Sequence, residues 1–377
     1  MKQLIVRCSL CGHKHRPDSP AMDCASCGGP LEFEDAQTGS IREAQGLQQS
    51  LFERYRDFLP FDYPDANNSL GEGLTPLIES PFLAQAIGIF QLYLKNETAN
   101  PTRSFVDRGT AGCIQHALEL GYMRVGAVCP DNMGTSVAAY GARSRLETFI
   151  LAEDIHAEIL APLAAYGPHL IRVACGRDDL LRRSLDIGAR RDIYFMNPDA
   201  PMRIEGYKTI AYEICEQTNF DVPDLVVTTA DPGIRCGIAK GFREFFQLGL
   251  IQRLPRLAAA LPDCPTGLQT RQTGSPDDLT STVSDASMSA AQNVLAKTGL
   301  LVRPESAATY AILRDLKARE EIGPDSRVVC ILAAGDLKTQ RPHVAHPAGS
   351  ACLCAEELED HIAGIIRQSY MYELEPY

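Results

Sequence analysis

Four cysteines near the start of the chain have the spacing of a metal site. Cys8 and Cys11 form one Cys-x-x-Cys pair, and Cys24 and Cys27 form a second pair after twelve intervening residues. Two pairs at this separation place four thiolates tetrahedrally around one Zn²⁺, with each pair on a tight turn. The duplicated spacing suits a closed site with four ligands, which distinguishes it from a redox pair. We therefore predict a structural zinc ribbon over residues 1–35.

A second stretch that could carry chemistry lies between a predicted strand and a predicted helix. The apolar run 90–94 is typical of a strand, and a helical pattern covers residues 107–120. Turns of this kind bring polar groups to the carboxyl edge of a parallel sheet, where ligands bind. The segment between them, residues 100–109, reads Asn-Pro-Thr-Arg-Ser-Phe-Val-Asp-Arg-Gly. The sequence therefore predicts a functional turn at this point.

The elements that would position this turn follow an alternating pattern. Over residues 148–217, strand-like and helix-like patterns alternate with short connections, which is typical of a doubly wound α/β sheet. Residues 41–65 read as an amphipathic helix that packs on the main body. Residues 262–284 are rich in Pro, Gly, Ser, Thr and Asp and read as a long loop. The chain of 377 residues is long enough for two or three domains.

Four further segments combine glycine with polar residues in distinctive ways. They are Gly71-Glu72-Gly73-Leu74-Thr75-Pro76-Leu77, Asp131-Asn132-Met133-Gly134-Thr135-Ser136, Ala230-Asp231-Pro232-Gly233-Ile234-Arg235 and Ala333-Ala334-Gly335-Asp336-Leu337-Lys338-Thr339. Together with residues 100–109, they resemble the threonine synthase branch of the fold-type II pyridoxal-phosphate (PLP) enzymes. The resemblance extends over most of the chain, from about residue 71 to residue 340.

The resemblance implies a fold and a domain arrangement. Fold-type II enzymes have two doubly wound α/β domains. The corresponding limits in this chain are 36–128 with 218–377 for a large domain and 129–217 for a small domain. Members of this branch often begin with a zinc ribbon, which agrees with the cysteine pattern. They are commonly dimers, so the resemblance also implies a homodimer.

Three parts of the family's cofactor site differ in this chain. The family turn reads Asn-Pro-Thr-Gly-Ser-Phe-Lys-Asp-Arg-Gly and its Lys forms the Schiff base with PLP, whereas this chain has Val106. In place of the family's Gly-Asn-Gly-Gly-Asn phosphate loop, Pro232 lacks an N–H donor and Asp231 repels a dianion. The family Thr that faces the pyridine nitrogen corresponds to Ala333. We therefore expect no bound PLP. The cofactor that we do expect is the structural zinc predicted from the cysteine pairs.

Polar residues nevertheless remain at positions that bind ligands in the family. Their hydroxyl, amide and guanidinium groups could still receive a small molecule at the former cleft. The same residue types also hold turns and cap helices, so a structural role stays open. The candidate ligand-binding residues are Thr102, Ser104, Asn132, Ser136, Gly233 and Arg235.

Two functions of different classes follow from this pattern. The first is a pseudoenzyme or repurposed threonine synthase-like protein that binds a small metabolite or a partner enzyme in the former active-site cleft. The alternative is an active lyase or transferase of amino-acid or specialised metabolism. Such an enzyme would use a relocated lysine, of which Lys95 is nearest in sequence, or PLP-independent chemistry by Asp131 or Cys129.

The composition argues against several kinds of partner. The net charge of -12 and the pI near 5.2 leave no basic surplus for binding nucleic acid. No apolar run reaches the roughly 18 to 20 residues needed to cross a bilayer, so we expect no membrane partner and a cytoplasmic protein. A loose group of soft ligands near the end fits no closed zinc pattern. This group comprises His343, His346, Cys352, Cys354 and His361.

Overall fold

The structure is a computed structural model that describes thirteen segments of the chain. The described residues form two compact units. The described residues are 5–8, 10–15, 24–29, 31–36, 38–42, 50–61, 64–128, 131–153, 163–198, 200–263, 278–335, 353–355 and 357–372.

Strands and helices alternate through most of the described chain. The strands are β1 Val6–Cys8, β2 Lys14–His15, β3 Leu31–Phe33, β4 Leu77–Glu79, β5 Gln91–Asn96, β6 Arg124–Val128, β7 Glu147–Ala152, β8 His169–Ala174, β9 Tyr194–Phe195, β10 Leu225–Thr229, β11 Arg256–Pro262, β12 Leu279–Val283, β13 Arg327–Leu332 and β14 Leu353–Cys354. The helices are α1 Leu51–Arg54, α2 Pro81–Ile87, α3 Val106–Glu119, α4 Asn132–Arg143, α5 Arg177–Arg191, α6 Pro201–Tyr207, α7 Thr209–Gln217, α8 Pro232–Gln247, α9 Asp285–Ala296, α10 Pro304–Ala311, α11 Leu313–Ala318 and α12 Leu358–Tyr372.

The first unit contains a small antiparallel sheet and a large, mostly parallel sheet. The small sheet has the strand order β2-β1-β3, and Val6 pairs with both His15 and Phe33. The large sheet has the order β12-β11-β10-β13-β5-β4, in which only β4 runs antiparallel to its neighbour. Every residue of β10 is buried, as expected for an interior strand of a parallel sheet that is covered on both faces.

The second unit contains a parallel sheet with its own core. Its strand order is β14-β8-β7-β6-β9. Phe149, Leu151 and Val173 from this sheet pack with Leu180 and Ile187 of α5. The chain passes between the units within α3 and again near residue 199. The predicted α/β fold class with doubly wound sheets is confirmed, whereas the predicted domain limits stay a prediction.

Two local expectations differ from the structure. Among the described residues of the segment 41–65, helical structure is limited to α1, which begins at a capping box of Ser50 and Glu53, and to a 3₁₀ turn at Arg56–Phe58. The end of the expected loop 262–284 is the edge strand β12. Its Thr and Ser residues alternate between exposed and buried positions, a period-two pattern that suits an edge strand.

A buried cluster of charged side chains holds the interior of the first unit. The Arg108 guanidinium of α3 donates to Glu97 at 2.7 and 2.9 Å and to Glu213 of α7 at 2.6 and 2.8 Å. Lys95 Nζ of β5 donates to the same Glu213 at 2.7 Å, and Thr75 Oγ1 donates to Glu97 at 2.7 Å. Two cations and two carboxylates balance each other, which is the condition under which charges tolerate burial.

Replacing Glu213 by Gln should strongly destabilise the first unit. Arg108 and Lys95 would lose a buried counter-charge, and breaking a buried pair in this way costs about 3–5 kcal/mol. The measurement is the free energy of unfolding in urea at pH 7. Glu321→Gln is the matched control, because Glu321 pairs with Arg256 at 2.9 Å on the surface and its loss should change stability by less than about 1 kcal/mol. Equal effects of the two substitutions would contradict this account.

The same cluster should make the protein sensitive to acid. Burial alone would raise the pKa of Glu213, but attraction to Arg108 and Lys95 outweighs it and lowers the pKa from 4.5 to about 2. A carboxylate with a depressed folded-state pKa contributes stability above its unfolded pKa and loses it as the pH falls towards the folded value. We therefore expect the free energy of unfolding to fall between pH 5 and pH 2, more steeply than in the Glu213→Gln variant. Parallel pH profiles of the two proteins would argue against the assignment.

Candidate functional site

The turn that follows β5 is held at the carboxyl edge of the large sheet. Asn100 donates to the Glu97 carbonyl at 2.9 Å and to its carboxylate at 2.8 Å, and its side-chain oxygen accepts from Gly73 N at 2.9 Å. The backbone of Phe105 donates to the carbonyl of Ala333, just after β13, at 2.9 Å. The turn is therefore fixed between the Gly71–Leu77 segment and the end of the neighbouring strand.

The hydroxyl groups of this turn bond to the chain itself. Thr102 donates from both its backbone N and its Oγ1 to the Asp107 carboxylate, each at 2.6 Å. Ser104 Oγ accepts from the backbone of Val106 at 3.4 Å. Val106 is the first residue of α3, and its apolar side chain is buried. Thr102 and Ser104 thus stabilise the start of α3, which is the structural role that the sequence left open.

The first turn of α8 is capped by a carboxylate from the chain. Asp231 accepts from Ile234 N at 3.1 Å, and Pro232 is the first helical residue and has no N–H. A β-carbon built on Gly233 would lie 3.2 Å from the Asp231 carboxylate and 3.3 Å from the Tyr207 ring, so little space remains beside it. Arg235, one turn further on, is buried. A helix start that already holds its own carboxylate is poorly suited to a phosphate dianion.

The corresponding loop of the second unit has the same kind of cap. Asp131 accepts from Met133 N at 3.2 Å, and its carbonyl accepts from the backbone N and Oγ1 of Thr135 at 3.0 and 3.1 Å. Asn132 is the first residue of α4, and Ser136 is fully buried within that helix. Asp131 therefore serves as a helix cap. Cys129 lies outside the described residues.

Lys95, the candidate for a relocated amine, lies in closed ionic surroundings. Lys95 Nζ donates to Glu213 at 2.7 Å, to the Thr75 carbonyl at 2.7 Å and to Gln217 at 2.9 Å, and its side chain has no exposed surface. Burial lowers the pKa of Lys95 and outweighs the attraction of Glu213. All three hydrogen-bond donors of this ammonium group are engaged.

Lys208 occupies a similar environment between α6 and α7. Its Nζ donates to the Phe58 carbonyl at 2.8 Å and pairs with Glu205 at 2.5 Å and Glu244 at 3.0 Å. Burial by itself would lower the pKa of Lys208, but the two carboxylates raise it above its ordinary value. This amine is therefore held in its charged form, which cannot act as a nucleophile.

The candidate residues separate by unit. Thr102 and Ser104 follow β5, and Gly233 and Arg235 follow β10, at the carboxyl ends of strands in one parallel sheet. Asn132 and Ser136 belong to the second unit. Arg103 was not among the candidate residues predicted from the sequence. The sequence did contain an indication, because Arg103 stands where the family turn has glycine.

A cavity in the first unit lies apart from these residues. It has a volume of about 480 Å³ and lies beside β12 and the start of α9. Ser284, Tyr310 and Arg314 are among its lining residues. None of the predicted site residues lines it.

The four N-terminal cysteines form a group that fits one zinc ion. Their Sγ atoms all lie within 4.8 Å of one another, and the Cys8–Cys27 and Cys11–Cys24 separations are 3.5 and 3.7 Å. Tetrahedral Zn–S bonds of about 2.3 Å imply sulfur separations of about 3.8 Å. The two cysteine turns have the same geometry. Gly12 N donates to the Cys8 carbonyl, Gly28 N donates to the Cys24 carbonyl, and both glycines have a φ of 71°. The cluster is compatible with the predicted zinc ribbon.

The loose C-terminal group of soft ligands, whose spacing fits no closed zinc pattern, lies partly within the described chain. Its residues Cys354 and His361 do not join any group of three ligands there, and His343, His346 and Cys352 lie outside the described residues. In the same part of the chain, no helix is long and apolar enough to span a membrane.

The purified protein should contain one zinc ion per chain. Cys11→Ser combined with Cys27→Ser should abolish zinc binding, because two thiolates cannot complete a four-coordinate site. It should also lower the Tm, since metal binding contributes directly to the folding free energy of small ribbons. Zinc content by atomic emission and thermal unfolding provide the two readouts. Cys354→Ser removes an exposed cysteine elsewhere and should leave both unchanged; zinc-free wild-type protein would contradict the prediction.

Comparison with known proteins identifies the relatives of this chain. A profile described as pyridoxal-phosphate dependent enzyme matches residues 68–334. The threonine synthase of Methanocaldococcus jannaschii is 33% identical, over 89% of this chain and 93% of that protein. The threonine synthase of Methanosarcina acetivorans is 31% identical, over 88% of this chain and 92% of that protein. The resemblance noted in the sequence motifs thus extends to nearly the whole chain.

Solved structures show the same fold at lower sequence identity. Diaminopropionate ammonia lyase from Escherichia coli superposes with a TM-score of 0.61 at 16% identity, over 71% of this chain and 85% of that chain. The processed form of threonine deaminase isoform 2 from Solanum lycopersicum has a TM-score of 0.59 at 18% identity, over 70% and 84%. The predicted resemblance is confirmed, and the chain belongs to the pyridoxal-phosphate dependent enzyme family as a threonine synthase-like protein of fold type II.

Proposed function

We propose that this threonine synthase-like protein does not use PLP and instead binds a small metabolite at the former active-site edge of its large sheet. The observation that carries the proposal is the Asp231 cap on α8. In the family this helix start receives the cofactor phosphate, whereas here it holds the chain's own carboxylate and begins with Pro232. A phosphate dianion placed there would meet a negative charge and one missing donor.

The lack of a suitable amine supports the same proposal. Val106 stands at the position of the family lysine and has no nitrogen. Among the described residues of the first unit, Lys95, Lys208 and Lys240 are buried, and each pairs with at least one carboxylate. Releasing any of them for imine formation would remove a counter-charge from a buried carboxylate, which is destabilising.

The residues near the end of β13 also differ from a cofactor site. Ala333 and Ala334 are buried and offer no side-chain hydrogen bond to a ring nitrogen. Ser306 bonds the backbone of Ala334 on both sides, accepting from its N at 2.8 Å and donating to its carbonyl at 3.1 Å. This hydroxyl is therefore engaged in holding the strand end. The start of α8, the position of Val106 and the end of β13 are all consistent with a PLP-free pseudoenzyme or repurposed protein.

An active enzyme is the second candidate, and the extent of the similarity favours it. Threonine synthases at 31 to 33% identity match this chain over nearly nine-tenths of its length. In this alternative, the protein is a lyase or transferase with a relocated lysine or with PLP-independent chemistry. Binding of a partner enzyme and formation of a homodimer stay predictions under either function.

An absorbance spectrum with added PLP, followed by borohydride reduction and peptide mass mapping, tests the proposal. The wild type should show no Schiff-base band and no modified lysine, because the site lacks an amine and a phosphate cradle. A trapped lysine in the wild type would overturn the proposal and identify the residue used by an active enzyme.

A pair of variants isolates the contribution of the capped helix. Val106→Lys restores an amine at the family position, and the triple variant with Asp231→Gly and Pro232→Asn also restores backbone donors. The triple variant should bind PLP at least about tenfold more tightly than Val106→Lys, since a hydrogen bond to a charged group is worth about 1.5–3 kcal/mol. Trapping yield against PLP concentration measures the difference, and equal affinities would show that the Asp231 cap does not exclude the phosphate.

A further inference from the structure

Arg103 holds a backbone conformation that favours glycine. Its φ is 66°, in the left-handed region where a side chain is disfavoured. The surroundings impose this conformation, because Arg103 N donates to the Asn100 carbonyl at 2.8 Å and its own carbonyl accepts from Gly335 N at 2.9 Å. The family turn that residues 100–109 resemble has glycine at this position. Backbone strain of this kind is found most often at functional sites.

The Arg103 guanidinium lies against the end of the neighbouring strand. A β-carbon built on Gly335 would come within 3.0 Å of Nε and 3.1 Å of Nη2, so the glycine leaves the space that the guanidinium fills. The Nε atom is buried and has no hydrogen-bond partner among the described residues. Buried donors almost always have a partner. The absence of an acceptor in the described chain is therefore unusual for a buried donor.

The carboxylates closest in the chain are engaged with other groups. Asp107 accepts two bonds from Thr102, and Glu97 accepts two from Arg108. No ion pair links Arg103 to a carboxylate in the described part of the chain.

A second arginine adds positive charge to the same segment. Arg303 N donates to the Ala334 carbonyl at 3.0 Å, and its guanidinium pairs with the exposed Glu305 at 3.4 Å. Arg103 thus differs from Arg303 in having no counter-charge within the described residues.

We propose that Arg103 is an anion-binding residue that receives the carboxylate or phosphate of a small metabolite. Arg103 follows β5 and Gly335 follows β13, which are adjacent parallel strands, with Asn96 opposite Leu332. Ligands of open α/β sheets bind at this carboxyl edge. A guanidinium binds the planar oxygens of a carboxylate or phosphate through a fork of N–H donors. The inference rests on the proposed function and names the chemical class of its ligand.

Thermal unfolding of the full chain tests this role with inorganic phosphate and succinate as probes. At constant ionic strength, one or both anions should raise the Tm of the wild type, because a ligand that binds only the folded state stabilises it. Arg103→Gly relieves the left-handed strain, so its Tm without the anions should equal or exceed that of the wild type. The anion-dependent rise in Tm should be lost in this variant.

Two further variants separate anion binding from structural effects. Arg145 also has a positive φ, 55°, and is exposed in the second unit, so Arg145→Gly is the matched control and should keep the full anion response. Arg103→Lys keeps the positive charge but loses the planar set of N–H donors of the guanidinium. The rise in Tm with added anion should therefore be smaller in this variant than in the wild type. A response to phosphate alone or to succinate alone would support the proposal and identify the oxyanion.

Two outcomes would overturn the role of Arg103. One is an anion response that survives in Arg103→Gly, and the other is a wild type whose Tm neither anion changes. These readouts are independent of the PLP spectrum. A lysine trapped with PLP, together with an anion response that depends on Arg103, would overturn only the PLP-free function. A PLP spectrum without a Schiff-base band, together with no anion response, would overturn only the inference about Arg103.

Discussion

The buried guanidinium of Arg108 is the interaction on which the first unit depends. A charge without access to water must be paired, and Arg108 is paired with Glu97 after β5 and Glu213 in α7. Thr75 accepts a further bond at 3.0 Å, so the Gly71–Leu77 segment joins the same cluster. The start of α3 is consequently fixed by electrostatics inside the unit.

A second buried ionic cluster attaches the N-terminal ribbon to the same unit. Lys240 of α8 pairs with Glu205 at 2.6 Å and donates to the carbonyl of Phe33 at the end of β3. Next to it, Arg243 forms a bidentate pair with Asp35 at 2.7 and 2.8 Å. The ribbon exit is therefore bonded to the helix whose first turn carries the Asp231 cap.

The electrostatics of the site point to a change in how anions are recognised. Asp131 and Asp231 each accept a backbone N–H at the start of a helix. At the second of these positions, the resemblance implies that the family uses backbone donors for the cofactor phosphate. The helix ends are thus occupied by negative charge from the chain itself. Arg103, by contrast, is a cation at the sheet edge whose buried Nε has no acceptor among the described residues. Side-chain recognition in place of backbone recognition is consistent with a ligand other than PLP.

The amino-acid sequence alone was sufficient for features that depend on local spacing. The cysteine pairs predicted the four-thiolate cluster because a Cys-x-x-Cys turn is a local structure, and the alternation of strands and helices indicated the α/β class. The motifs also predicted altered cofactor positions, including Val106, and these assignments stay predictions. None of these inferences needs a contact between distant residues.

Hydrogen-bond partners were decided only by the tertiary structure. Lys95 was a candidate amine in the sequence, and its engagement with Glu213, 118 residues away, follows from the packing of α7 beside β5. The strain at Arg103 likewise arises from a bond to Gly335 across the sheet edge. Local periodicity carries no information about such pairs, because burial and counter-charges are set by segments that meet only in the folded chain.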